Sequence, residues 1–183
     1  MLPIRLAAVS AVAALLLWPS AHAQAPATQP APRAATATLS IPGPVQAAHR
    51  QLHVRLAAIA NAGGRTGAAA VELDRILQPH FRKEEQLALP LLGLLPGLAQ
   101  GAAPADPAGA LALADKLTAQ MPEMLREHQG IAAALGTLRK AALQDGNADA
   151  VAFADQLAAH AAEEEQILYP AAQLVGAYLR TRR

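Results

Sequence analysis

Two stretches decide the reading of this chain. One is His80-Phe81-Arg82-Lys83-Glu84-Glu85-Gln86-Leu87-Ala88-Leu89-Pro90; the other, 80 residues on, is His160-Ala161-Ala162-Glu163-Glu164-Glu165-Gln166-Ile167-Leu168-Tyr169-Pro170. Both read His-x-x-x-Glu-Glu-Gln-x-x-x-Pro. Each is preceded by a further histidine: placing His128 on His49, 79 residues on, also puts Ile131 on Leu52 and Leu135 on Leu56. Self-similarity at a fixed offset marks a duplicated supersecondary unit. Each unit holds two helical patterns, so the duplication predicts an all-α, up-down-up-down four-helix bundle built from two pseudo-repeated helical hairpins.

The apolar periodicity outlines the helices. The first is expected from about Pro44 to Ala62, with Val45, Leu52, Leu56 and Ile59 on one face and Gly63-Gly64 as the stop. The second is expected over about Thr66 to Leu89, with Leu73, Leu77, Leu87 and Leu91 in phase, a kink at Pro79 and an end at Pro90. Residues 91–106 read as a Gly/Pro-interrupted apolar connection. The third helix is expected over 107–143, bent at Pro122, followed by Asp145-Gly146-Asn147 as glycine stop and N-cap. The fourth is expected over 148–169, ended by Pro170, with a short tail helix to Leu179.

The histidines occupy positions where core residues belong. His49 is in phase with Val45, Leu52, Leu56 and Ile59. His80 and Glu84 take core positions between Leu73/Leu77 and Leu87/Leu91. His128 lies between Leu125 and Ile131/Leu135, and His160 with Glu164 lies between Phe153/Leu157 and Ile167/Leu168. A His and a Glu at i and i+4 leave one helix face about 6 Å apart along the axis. Burying them is costly unless something neutralises the carboxylates and occupies the imidazole lone pairs. A pair of metal ions does both, and imidazole with carboxylate suits iron, manganese or zinc. Counting residues from each histidine to its hairpin turn, at 1.5 Å per residue, gives roughly 18–22 Å in all four helices, which brings the four histidines to nearly one height.

Composition excludes most other chemistry. The 183 residues are 53% hydrophobic, 3% aromatic and 16% charged, with a formal net charge of +1. Few β-branched residues argue against a sandwich or barrel, and the balanced charge gives no footprint for nucleic acid. Without cysteine there are no disulfides, thiolate metal sites, iron–sulfur clusters or cysteine nucleophile. No nucleophile–base constellation, phosphate-cradling glycine loop or basic aromatic patch is present. Met1 to Ala23 carries Arg5, an apolar run from Leu6 to Trp18 and the small-x-small end Ala21-His22-Ala23. That is the pattern of a cleaved signal peptide, and the run is shorter than the roughly 20 residues that span a bilayer. Residues 24–43, rich in Ala, Pro and Thr, read as a disordered linker, leaving 44–183 for the bundle and its tail. A periplasmic or secreted location, without membrane insertion after cleavage, is the expectation; His22 leaves with the leader.

With these motifs in place, the chain resembles the hemerythrin/HHE cation-binding family over about residues 44–170. The resemblance implies a non-haem di-iron centre, oxo- or hydroxo-bridged, with manganese or zinc as possible substitutes. His49, His80, His128 and His160 would be its terminal ligands, and Glu84 and Glu164 would bridge the two ions. Respiratory members carry a His-x-x-x-His pair on the third helix and an aspartate on the fourth; here residue 132 is alanine. The pair His49-x-x-x-His53 lies on the first helix instead, so His53 is a candidate fifth histidine ligand, with His49, His53 and His80 on one metal and His128 and His160 on the other. Glu85, Glu163 and Glu165 read as a solvated face or as carboxylates behind the ligands, Glu127 as outer face, and Tyr169 and Phe81 as core or cap packing. The implied partner is a small ligand (O₂, nitric oxide or peroxide). A gas-binding protein is the leading expectation, with an oxidative-defence enzyme or an iron-buffering protein as alternatives. If His53 stands outside the centre, nitric oxide or peroxide chemistry becomes the better reading.

Overall fold

The computed structural model describes residues 37–182; the expected signal peptide and most of the expected linker lie outside them. Helix α1 is Gly43–Asn61 and α2 is Gly64–Leu87, followed by the short α3 (Leu89–Leu92) and α4 (Leu95–Ala99). Helix α5 is Pro107–Asp145, α6 is Ala148–Glu163, and after a π-turn over Glu164–Leu168 comes α7, Tyr169–Thr181. The result is the expected all-α bundle of two hairpins, α1/α2 and α5/α6. Across the hairpins, α2 packs extensively on α5, and α1 touches α6.

The turns form where the sequence weakens the helix. Gly146 adopts the left-handed conformation (φ 68°) that closes α5, and the Asn147 side chain then accepts from the Ala150 N–H at 3.0 Å to open α6. Asp106 caps α5 in the same way through the Gly109 N–H. Pro79 and Pro122 lie inside α2 and α5 on exposed faces, where water satisfies the carbonyls that a proline leaves unpaired, and both helices continue through them.

The matched prolines act differently from the expected plain stop. Pro90 and Pro170 both lack the N–H that would extend the α ladder, and each stands in the first turn of a new helix. In the first hairpin α2 closes with the Ala88 N–H on the Glu84 carbonyl, and α3 begins. In the second hairpin the ladder widens by one residue: the Tyr169 N–H reaches the Glu164 carbonyl, five residues back, and the chain runs on into α7. The connection 91–106 contains α3 and α4. Residues 37–40, expected within the linker, are tied to the bundle by backbone bonds of Ala37 to Ala103 and Ala105 and of Ser40 to Pro90.

The core is two apolar clusters. One, near the hairpin turns, joins Leu52, Leu56, Leu73, Leu77, Ile131, Leu138, Phe153 and Leu157. The other joins Leu89, Leu91, Leu94, Leu117, Met124, Val175 and Leu179 from the opposite half of the domain. Gly176 lets α7 approach α5, since a Cβ there would stand 2.6 Å from that of Ala114. Each fully buried leucine contributes about 1.5–3 kcal/mol over its exposed state, so the clusters can carry a belt of buried polar residues that does not stabilise the fold by itself.

Candidate metal centre

That belt consists of His49, His80, Glu84, His128 and Glu164, all buried, with His160 partly buried beside them. Helix α2 projects His80 and Glu84 from one face, Nε2 to Oε1 being 3.5 Å. The junction of α6 with the π-turn does the same for His160 and Glu164, Nε2 to Oε1 being 2.8 Å. Ligand atoms of His80, Glu84, His128 and Glu164 lie within 4.8 Å of one another, and so do those of His49, His160 and Glu164.

The two carboxylates divide their oxygens between these groups. Glu84 turns Oε1 to His80 and Oε2 to His49, at 3.5 and 3.7 Å. Glu164 turns Oε1 to His49 and His160, at 3.3 and 2.8 Å, and Oε2 to His128, at 3.6 Å.

The opposite nitrogens of three imidazoles are held from behind. His80 Nδ1 meets Glu127 at 2.9 Å, His128 Nδ1 meets Glu165 at 2.8 Å, and His49 Nδ1 meets Glu85 at 3.3 Å. A carboxylate only accepts, so each of these Nδ1 atoms carries a proton, and each Nε2 faces the interior, where those of His80 and His128 lie 2.8 Å apart. Lys83 neutralises Glu127 in turn. Glu127, expected on the outer face, thus holds His80 in place. Its helix turns it inward far enough to meet α2.

Electrostatics follow from this packing. Burial pushes the Glu164 carboxyl up, but the imidazoles of His160 and His49 close beside it outweigh that and hold the group at about 2. Burial lowers His160 and His80, yet Glu164 in one case and Glu84 in the other raise both above the usual histidine value. Burial raises Glu127 and is overcome by His80 and Lys83, so that carboxyl is lowered. Tyr169 is raised, first by burial and then by Glu84 and Glu164, so the phenol keeps its proton.

Tyr169 enters the centre itself. Its hydroxyl donates to Glu84 Oε1 and lies 3.1 Å from His128 Nε2. Read at the α-helical period, Leu168 rather than Tyr169 shares the face of Glu164; the π-turn puts the residue at i+5 there instead. The Tyr-Pro pair at 169–170 was the available signal.

His53 is not in the cluster. It is about one-third exposed, and its Nδ1 lies 3.8 Å from Asp74. Phe81 takes the space beside His49, stacked on it at 4.0 Å between ring centroids with 8° between planes, and meets His53 edge-on. The expected division of ligands also differs: His80 groups with His128 and His49 with His160, because facing histidines come from different hairpins.

Does this donor set fit metal ions? Glu84 Oε2 and His160 Nε2 are buried without an aligned hydrogen-bond partner, which is unusual in a native interior. Imidazole nitrogens crowded against two carboxylates in an apolar interior are a donor set that a divalent or trivalent cation satisfies. A model of the hemerythrin HHE cation-binding domain matches residues 45–172. The chain belongs to the hemerythrin HHE cation-binding family. This hemerythrin domain spans α1 through the start of α7, and every residue of the His/Glu cluster lies within it. No curated protein and no solved structure matches the chain.

Proposed function

We propose that this hemerythrin domain holds two iron ions and takes up a small molecule there, with nitric oxide or peroxide favoured over reversible O₂ carriage. The division of both carboxylates' oxygens between two histidine groups carries this reading, for it is the disposition bridging ligands need. Bound iron would supply redox change and open coordination positions.

His80 and His128 would hold one ion and His49 and His160 the other, with Glu84 and Glu164 between them. Glu127, Glu165 and Glu85 fix the imidazole orientation and raise the basicity of the ligating nitrogens. Tyr169 keeps a phenolic proton beside Glu84 and His128. The apolar clusters on either side keep bulk water away. With His53 outside, each ion has two histidines and more positions free for an exogenous ligand. That favours reactive chemistry over a nearly saturated carrier.

The test is a metal count and an optical titration. Full-length protein loaded anaerobically with ferrous iron should retain about two ions per chain after desalting, as a two-metal bundle does, and its spectrum should change on adding nitric oxide. A one-to-one ratio excludes the bridged pair. The sequence pattern of Met1 to Ala23 supports export to the periplasm or medium; an exported chain whose N-terminus is Gln24 is the expected result of N-terminal sequencing.

A further inference from the structure

The duplication permits a comparison that the site alone does not. Equivalent grooves lie between the two helices of each hairpin, about 430 Å³ between α1 and α2 and about 360 Å³ between α5 and α6. Size does not separate them. Their linings do: Ala132 stands where the first groove has His53, Ala158 where it has Gln78, Ala161 where it has Phe81, and Ala162 where it has Arg82. In the first groove Phe81 is 2% exposed and lies flat on His49, so the ring seals the histidine from the groove. In the second no aromatic ring replaces it, and His128 itself forms part of the wall.

We propose that the small ligand reaches the centre through the α5/α6 groove and arrives at the metal position of His128, and that it is a small uncharged molecule such as nitric oxide. This rests on the reading of the site as one that takes up a small molecule. The alanine walls offer such a molecule apolar contact and offer an ion nothing. Three charged residues also line this groove, and they are already committed: Arg139 pairs with Asp155 at 3.0 Å, and Glu165 holds His128 Nδ1 at 2.8 Å. The Glu165 carboxylate also repels anions from that wall. The α1/α2 groove carries as many charged residues, Asp74, Arg82 and Glu85, but it is floored by Phe81, which covers His49, and so serves as no entrance.

Two measurements on the full chain test this. In the ferrous-loaded protein, nitric oxide association is followed by stopped flow in wild type, Ala132→Phe and Ala161→Phe, with iron counted in each. Position 132 is exposed, so that variant folds without repacking the core. Association should slow by about tenfold or more in both variants, since a ring must now move before the ligand passes, while iron content stays at the wild-type value. An unchanged rate at full iron content overturns the route. In the zinc-loaded protein under xenon, methyl NMR reads the same groove without iron chemistry. The methyls of Ala132, Ala158 and Ala161 should shift in wild type, and the shifts of Ala132 and Ala158 should be lost in Ala161→Phe. No shift at these methyls overturns the route whatever the iron centre does. Xenon entry without any nitric oxide uptake by iron-loaded wild type supports the route and instead overturns gas binding as the function.

Discussion

Glu164 is the residue that both histidine groups share, whereas Glu84 belongs by distance chiefly to the group of His80 and His128. Their replacements should therefore differ. Glu164→Ala is expected to drop iron retained after desalting to near zero, Glu84→Ala to leave part of it at His49, His160 and Glu164, and His53→Ala to leave it at the wild-type value. Loss of iron in His53→Ala would bring that residue back among the ligands. Tyr169 yields a second prediction. Its hydroxyl donates to a buried carboxylate, and a hydrogen bond to a charged group contributes about 1.5–3 kcal/mol. Tyr169→Phe should destabilise the metal-free protein by that order in urea unfolding. The cost should shrink once metal is loaded, because the ion then satisfies Glu84. An equal cost in both states would mean that Tyr169 acts by packing alone. These residues also show what was legible in the sequence. His49, His80, Glu84, His128, His160 and Glu164 could be read because a polar residue in apolar helical phase stands out. His53 shared that phase but stands outside the cluster, since phase names a face but not what the next helix puts against it; here that is Phe81. Tyr169 was hidden because its placement depends on a five-residue turn, which leaves no mark in a 3.6-residue period.

Between elements, the hairpins are pinned together by a contact far from the centre. Asp145, at the end of α5, accepts from the Thr66 backbone N–H at 3.0 Å and from the Thr66 hydroxyl at 2.8 Å, and pairs with Arg65. It therefore caps the N-terminus of α2 from another helix, where orphan N–H groups and the helix dipole favour an anion. The Thr66 hydrogen bonds, and then Arg65, lower its carboxyl below 3.8. A group with a depressed folded value contributes stability above its unfolded value, and that contribution is lost as pH falls through the folded one. Asp145→Asn should accordingly lower the melting temperature at neutral pH and lose less than wild type does on going below pH 3.8. Parallel melting curves across that range would show that the cap carries no charge-dependent stability. The helix ends themselves were largely legible, because Gly63-Gly64 and Gly146-Asn147 interrupt strong apolar patterns. The joint after His160 was not: Pro170 announced a break, and the chain answered with a widened turn that continues into α7.

At the scale of the whole molecule, two buried carboxylates and four imidazoles divide one apolar core into two clusters. Without metal, that belt costs desolvation that its internal hydrogen bonds only partly offset, and it leaves Glu84 Oε2 and His160 Nε2 without aligned partners. Metal binds the folded chain, in which the ligands converge, and not the unfolded chain, in which they are scattered over more than a hundred residues. At free metal one hundred times the dissociation constant, this linkage adds about 2.7 kcal/mol per site, which for a domain of this size raises the melting temperature by roughly 5–10 °C. Calorimetry of metal-free and metal-loaded wild type should show that shift. The double variant Glu84→Ala, Glu164→Ala should lose the shift entirely, because neither group of histidines then keeps a carboxylate. Identical melting of loaded and metal-free wild type would mean that no metal binds at the belt.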